Sequence, residues 1–280
     1  MAIVEKLTAI GDAIREKTGN STELTLDQMV NEIKGISGGG GDTTGEDALI
    51  TRTFTEYTND TAVGVRWYCF YNNATLTKVN LSNVVTVAQS AFHGCENLVE
   101  INMPSLKTID KNGFYDCEKL TSISLPSCTN VGNSSFYNCK ALEEISLPEC
   151  TYLGNSSFYG AKLLKEATFP KVMTVGQTVF RSCTALTKLD FANVRTFSTN
   201  ALKDASNLTT LIIRTIDFSP NNAQTYANLG SGALTNTLIA AGTGYIYVPD
   251  DRVDDYKTSG SWATYANQIK PLSEYVEVTE

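Results

Sequence analysis

Histidine is almost absent. His93 is the single imidazole in 280 residues, so every Ser–His or Cys–His nucleophilic pair would have to run through one side chain. No C-x-x-C pair occurs, and with one histidine no zinc set is expected. Basic residues are in deficit: 22 Lys and Arg stand against 30 Asp and Glu, a net charge of −8, which argues against a nucleic-acid partner. No apolar run approaches the roughly 18–20 residues of a bilayer span, so membrane insertion is not expected. The glycine run Gly38–Gly41 is not followed by Gly-Lys-Ser/Thr, which removes the phosphate-loop reading. No carboxylate pair stands apart in a predicted cleft. The expected chain has no catalytic residues, no metal and no cofactor, and is not an enzyme.

What is present is a period. From about Trp67 to Pro220 a pattern recurs every 22 residues, as in KNGFYDCEKLTSISLPSCTNVG from Lys111 to Gly132. Phe70, Phe92, Phe114, Phe136, Phe158 and Phe180 form one column, with Leu202 taking the place in the last copy. Leu76 to Leu208 form a second. Val79, Ile101, Ile123, Ile145, Ala167, Leu189 and Leu211 form a third, and Leu81 to Ile213 a fourth. Apolar positions locked to a period of this length predict a solenoid. One copy alone buries too little apolar surface to offset the entropy of ordering its backbone, so copies must stack and both ends need covers.

Six of the seven cysteines fall on repeat positions. Cys95, Cys117, Cys139 and Cys183 share a column with Ala161 and Ala205; Cys128 and Cys150 share another; Cys69 is off register. Exchange with alanine marks a packing slot. Rungs about 4.8 Å apart lie within disulfide reach, so distance leaves bridges open, but reduced thiols are the favoured reading. The residue after each Phe gives Tyr71, His93, Tyr115, Tyr137 and Tyr159, then Arg181 and Lys203. If the chain is extended there, these side chains point away from the buried Phe. The stripe is then either a ring ladder that shields the wall or a platform for a glycan or a protein surface, which Tyr152 would widen.

The frame F-x-x-C-x-x-L-x-x-I-x-L-P-x-C/V-x-x-V/L-G resembles the BspA-type leucine-rich repeat over about seven copies. The resemblance implies a right-handed solenoid with one short parallel strand per turn, an α+β repeat, and a role in adhesion or binding. We place the strand on segments such as Ser122–Leu125 and Glu144–Leu147, ended by Pro104, Pro126, Pro148 or Pro170, which cannot donate to a ladder. The outward strand positions Glu100, Asn102, Ser122, Ser124, Glu144, Ser146, Glu166 and Thr168 form a second candidate binding surface, or a solvated face.

The flanks differ from the repeats. Residues 1–36 read as two short amphipathic helices, with Ile3, Leu7, Ile10 and Ile14 as a seam for oligomerisation or attachment. Charges interrupt this segment every few residues, so it is not a signal peptide, and a chain beginning here is not expected to be secreted by that route. Leu7–Gly19 and Leu24–Ile33 resemble a short module near the ends of phage and prophage tail proteins. That resemblance implies a virion or tail-like particle context, with other tail proteins as partners and a homo-oligomer, a trimer by the fibre context. Residues 37–45 form a Gly-rich linker, and residues 46–66 one or two strands capping the first rung. Residues 67–220 form the solenoid. Residues 221–280 are expected to be an α/β C-terminal cap, with a short helix around Ala233–Ala240, a strand at Tyr245–Pro249, and helices through Tyr256 and from Trp262 to Ile269. The stretch from Gly244 to Tyr275 resembles the cap of such repeat proteins in prophage and gut-bacterial sequences. The expected function is receptor binding or host adhesion by a phage, prophage or tail-like particle. The alternatives are a bacterial cell-surface adhesin and a spacer without a ligand.

Overall fold

The computed structural model describes residues 54–215 and 227–277. The helical module over 1–36, with Ile3, Leu7, Ile10 and Ile14, and the linker over 37–45 lie outside the described residues.

Each turn of the coil has three walls. The first is a strand of three or four residues: β1 Glu56–Thr58, β3 Lys78–Asn80, β5 Glu100–Asn102, β7 Ser122–Ser124, β9 Glu144–Ser146, β11 Glu166–Phe169, β13 Lys188–Phe191, β15 Thr210–Ile213 and β17 Tyr245–Val248. The second is a two-residue strand: β2 Gly64–Val65, β4 Thr86–Val87, β6 Thr108–Ile109, β8 Asn130–Val131, β10 Tyr152–Leu153, β12 Thr174–Val175, β14 Thr196–Phe197 and β16 Asn228–Leu229. All pairings are parallel and mostly one period apart, as Tyr57↔Val79 and Val79↔Ile101. The short strands make one continuous eight-stranded ladder, whereas the long-strand wall breaks between β5 and β7 and again between β9 and β11.

The third wall is an arc of turns. Two residues per rung, four apart, take left-handed backbone: Asn112 and Asp116 (φ 59° and 56°), Ser134 and Asn138, Ser156 and Gly160. Small polar residues and glycine hold nearly all these places, because a bulky Cβ is strained there; Tyr68 and Thr178 are the departures. Successive arcs are bonded rung to rung, with the Phe92, Phe114 and Phe136 amides each donating to a carbonyl of the next arc at 2.8 Å. The Phe column stacks inside, with ring centroids 4.8–5.7 Å apart from Phe70 to Phe180. All six rings are buried.

The structure corrects four expectations. The strands end one residue early, at Ser124 and Ser146 rather than Leu125 and Leu147. The segment Ala233–Ala240 is not a helix but the next arc: the Leu202 amide donates to the Ala233 carbonyl, and Gly232 and Asn236 supply its left-handed pair. The ladders therefore run past Pro220, through β16 and β17. Before Trp67, β1 and β2 fall within the 46–66 stretch read as cap strands, and they pair one period ahead of β3 and β4. Helix is scarce where an α+β repeat was expected. Among the described residues the one α-helix is α1, Val253–Thr258, flanked by 3-10 turns over Asp250–Arg252 and Gly260–Gln268.

That C-terminal segment closes the coil. Tyr256 and Trp262 are buried, and Trp262 meets the Phe197 ring edge-on at 6.2 Å. The Ala227 amide donates to the Tyr256 hydroxyl, and the Trp262 indole N–H donates to the Ala227 carbonyl. β18, Ile269–Pro271, adds a last strand beside β17 and places Pro271 on the sheet edge, where a missing N–H costs nothing.

Candidate binding surfaces

The tyrosine column lies on the arc wall. The chain there is not extended, as the sequence reading supposed; left-handed residues on either side turn Phe inward and the next ring outward. Tyr71, His93, Tyr115, Tyr137 and Tyr159 stack face to face, with centroids 4.8, 4.6, 4.7 and 4.6 Å apart. The Tyr68 edge meets Tyr71 at 5.5 Å, and the Arg181 guanidinium lies 5.8 Å above Tyr159. Both terminal faces are thus covered, and the column presents ring edges and phenol oxygens rather than aromatic faces. Tyr152 sits on β10, on another wall.

His93 is a member of this stack. Burial holds its pKa below the ordinary 6.5, opposed by the nearby Asp116 carboxylate, and its Nδ1 is buried without a partner. Burial first, then Asp116 and neighbouring phenols, pushes the Tyr115 and Tyr137 hydroxyls up. Burial disfavours the charged form of each, which suits close stacking.

The strand wall is different. Six of the eight outward positions expected there, Ser122, Ser124, Glu144, Ser146, Glu166 and Thr168, line one groove of about 530 Å³ across β7, β9 and β11. Glu100 and Asn102 lie one rung away on β5. The groove spans the break between β9 and β11, where the inward column changes from Ile145 to the smaller Ala167. Ile145 is half-buried, whereas Val79, Ile123 and Leu189 are buried. Pro148 and Pro170 complete the rim.

Residues 64–187 and 129–242 match the family described as BspA type Leucine rich repeat region (6 copies), which together is more than half of the chain. The chain belongs to this family. No curated protein matches it. Among solved structures it is similar to the leucine-rich repeat protein of T. pallidum, with 23% identity, a TM-score of 0.52, and coverage of 56% of this chain and 78% of that one. It is also similar to a leucine-rich cell surface protein from Faecalibacterium prausnitzii, with 20% identity and a TM-score of 0.51. That match covers 70% of this chain, which spans 60% of the other protein's length.

Two features of this BspA-type coil escaped the sequence reading. The first is the far end of the strand wall, where residues 270–277 lie across it. Lys270 sits 4.7 Å from the Tyr245 ring, Tyr275 packs edge-on against Tyr247 at 5.1 Å, and Glu277 reaches Lys188 at 3.3 Å. Beneath them Asp190 takes a two-pronged pair from Arg214, 2.9 and 2.7 Å. The signal was present in the outward column, where Ile212 and Tyr247 replace the Asn, Ser and Thr of earlier rungs, and Ile212 is buried. The second feature is the cysteine column. The thiols of Cys95, Cys117, Cys139 and Cys183 each point at a Phe carbonyl one rung back, 3.0–3.4 Å away. Alanine fills the slot but cannot donate that weak bond. None of the seven cysteines is joined in a disulfide.

Proposed function

We propose that the chain is a non-enzymatic adhesion or receptor-binding protein that engages a cell-surface glycan or protein through the strand wall of its solenoid. One observation carries this reading: the hydroxyls of Ser122, Ser124, Ser146 and Thr168 and the Glu144 carboxylate have no protein partner among the described residues, and all of them converge on the groove. By contrast, the hydroxyls of Thr77, Thr129, Thr151, Thr187 and Thr209 donate to backbone carbonyls of the neighbouring rung. Polar groups left over in a concave site are what a ligand can satisfy. Display at a bacterial cell surface accords with the description of the F. prausnitzii protein. A second reading, a tail-like particle, is favoured by the resemblance carried by Leu7–Gly19 and Leu24–Ile33; there the N-terminal seam would join tail proteins or assemble the chain into a homo-oligomer.

The test is attachment of the full chain to intact bacterial and host cells. Ser146→Trp, which fills the groove, is expected to lower attachment about tenfold or more, the loss of one well-placed set of contacts. Tyr115→Ser, Tyr137→Ser and Tyr159→Ser together are expected to leave attachment by the folded protein unchanged. The opposite pattern moves the binding surface to the arc wall, and loss from neither set leaves a spacer without a ligand. Light scattering of the full chain beside one starting at Gly45 checks the assembly: an oligomer in the first and a monomer in the second is the expected result.

A further inference from the structure

The strand wall carries an ion-pair column with one place open. In chain order the first outward positions are Lys78, Glu100, Ser122, Glu144, Glu166 and Lys188, each in register with the next rung or facing it across a break. Lys78 pairs with Glu100 at 2.8 Å, and Lys188 pairs with Glu166 at 2.9 Å. Glu144 has no ion-pair partner among the described residues, and its register partner on β7 is Ser122, too short to supply a charge. The unmatched carboxylate therefore stands in the middle of the groove. Around it are the uncommitted hydroxyls of Ser124, Ser146 and Thr168, and an apolar side made by Ile145 and Pro148.

Resting on the binding role proposed above, we infer that this groove takes a lysine- or arginine-bearing segment of a protein partner, with the cationic head between Glu144 and Ser122. Three features fit that occupant. The cation gives Glu144 the opposite charge that no described residue supplies, which an uncharged sugar does not. The aliphatic stem of such a side chain lies against Ile145 and Pro148 while its head stays at the polar rim. The hydroxyls meet the partner's backbone amides and carbonyls, groups that every extended peptide presents. The overall charge of −8 steers a basic segment toward the chain.

The probe is an acetylated, amidated Ala-Ala-Lys-Ala-Ala peptide, titrated into the full ¹⁵N-labelled chain and compared with the same peptide carrying norleucine for lysine. The expected result is amide shifts confined to residues 122–124, 144–147 and 166–168 with the lysine peptide, and markedly weaker binding of the norleucine peptide. Glu144→Gln is expected to weaken the lysine peptide about three- to tenfold, the range between an exposed ion pair and a charged hydrogen bond. Ser122→Lys, which supplies the cation from the neighbouring rung, is expected to do the same. Glu100→Gln, which removes a charge already paired, is expected to change it less than twofold, about the limit of what such a surface substitution does. Equal binding of the two peptides, unaltered binding by Glu144→Gln, or no shift at the groove at millimolar peptide would overturn the inference. An uncharged oligosaccharide that binds the groove and tolerates Glu144→Gln would overturn it in favour of a glycan. If Ser146→Trp abolishes cell attachment while Glu144→Gln and Ser122→Lys attach like the parent, the cationic occupant is wrong and the adhesion role stands. If the parent attaches to nothing, the adhesion role falls whatever the peptides do.

Discussion

The arc wall and the strand wall are built from the same period, yet they spend their side chains in opposite ways. On the arc, each ring is satisfied by the ring above and below, and nothing but edges is left for solvent. On the strand wall, between Ser122 and Thr168, hydroxyls and a carboxylate are left unmatched. Regular repetition produces self-satisfied columns because identical side chains recur at rung spacing. Uncommitted groups arise where the column breaks its own pattern, as at Ser122 and Ala167. A repeat protein's candidate site is therefore found at departures from the repeat rather than in its most regular stripe.

The comparison can be strained from its core outward. Phe136→Ala, behind the arc, is expected to cost about 3–5 kcal/mol, the range for truncating a buried aromatic, measured as a fall in the urea midpoint. Next comes Tyr137→Ser, which removes two stacking contacts from the half-exposed column. About 1–3 kcal/mol is expected from lost ring pairs and burial. A loss indistinguishable from zero would mean the stack contributes nothing and the contrast between the walls is empty.

Much of this was legible beforehand. The apolar columns were, because inward positions tolerate few substitutions and therefore keep the period visible through Phe70 to Phe180. The strand positions were placed to within one residue by the proline that follows them. The groove was not legible: six of its lining positions were named as a candidate binding surface or a solvated face, but nothing in a single copy reveals that the wall parts between β9 and β11. The covered end was hidden for a different reason. Lys188 and Glu277 are 89 residues apart and no period links them. The last arc was misread as a helix because ten additional residues between Leu202 and Leu234 throw it out of phase.

A smaller effect sharpens the arc side by pH. The folded-state pKa of His93 is depressed below 6.5 by burial, so the unfolded chain binds the proton more readily. Stability is expected to be full above pH 6.5 and to fall as pH drops below it, levelling off once the folded imidazole titrates as well. His93→Tyr should flatten that part of the profile relative to the parent, as read by thermal unfolding across pH 5–8. Smallest of all, Glu144→Gln on the strand wall is expected to move stability by no more than about 0.5 kcal/mol, as for other exposed positions. A larger loss would make Glu144 a structural residue and dissolve the contrast from the other side.

The thiol column has a use for the experimenter. Cys95, Cys117, Cys139 and Cys183 are buried on successive and near-successive rungs, and Cys128 and Cys150 are buried on a second wall of the copies that hold Cys117 and Cys139. Burial lifts Cys128 to about 11 and Cys150 and Cys183 to about 12, so the nucleophilic thiolate is scarce while the rungs are closed. Alkylation then proceeds only through opening, and each modified cysteine carries its rung number. In a coil whose rungs touch only their neighbours, mass spectrometry of partly alkylated chains reads out which rungs open, from which end, and in what order.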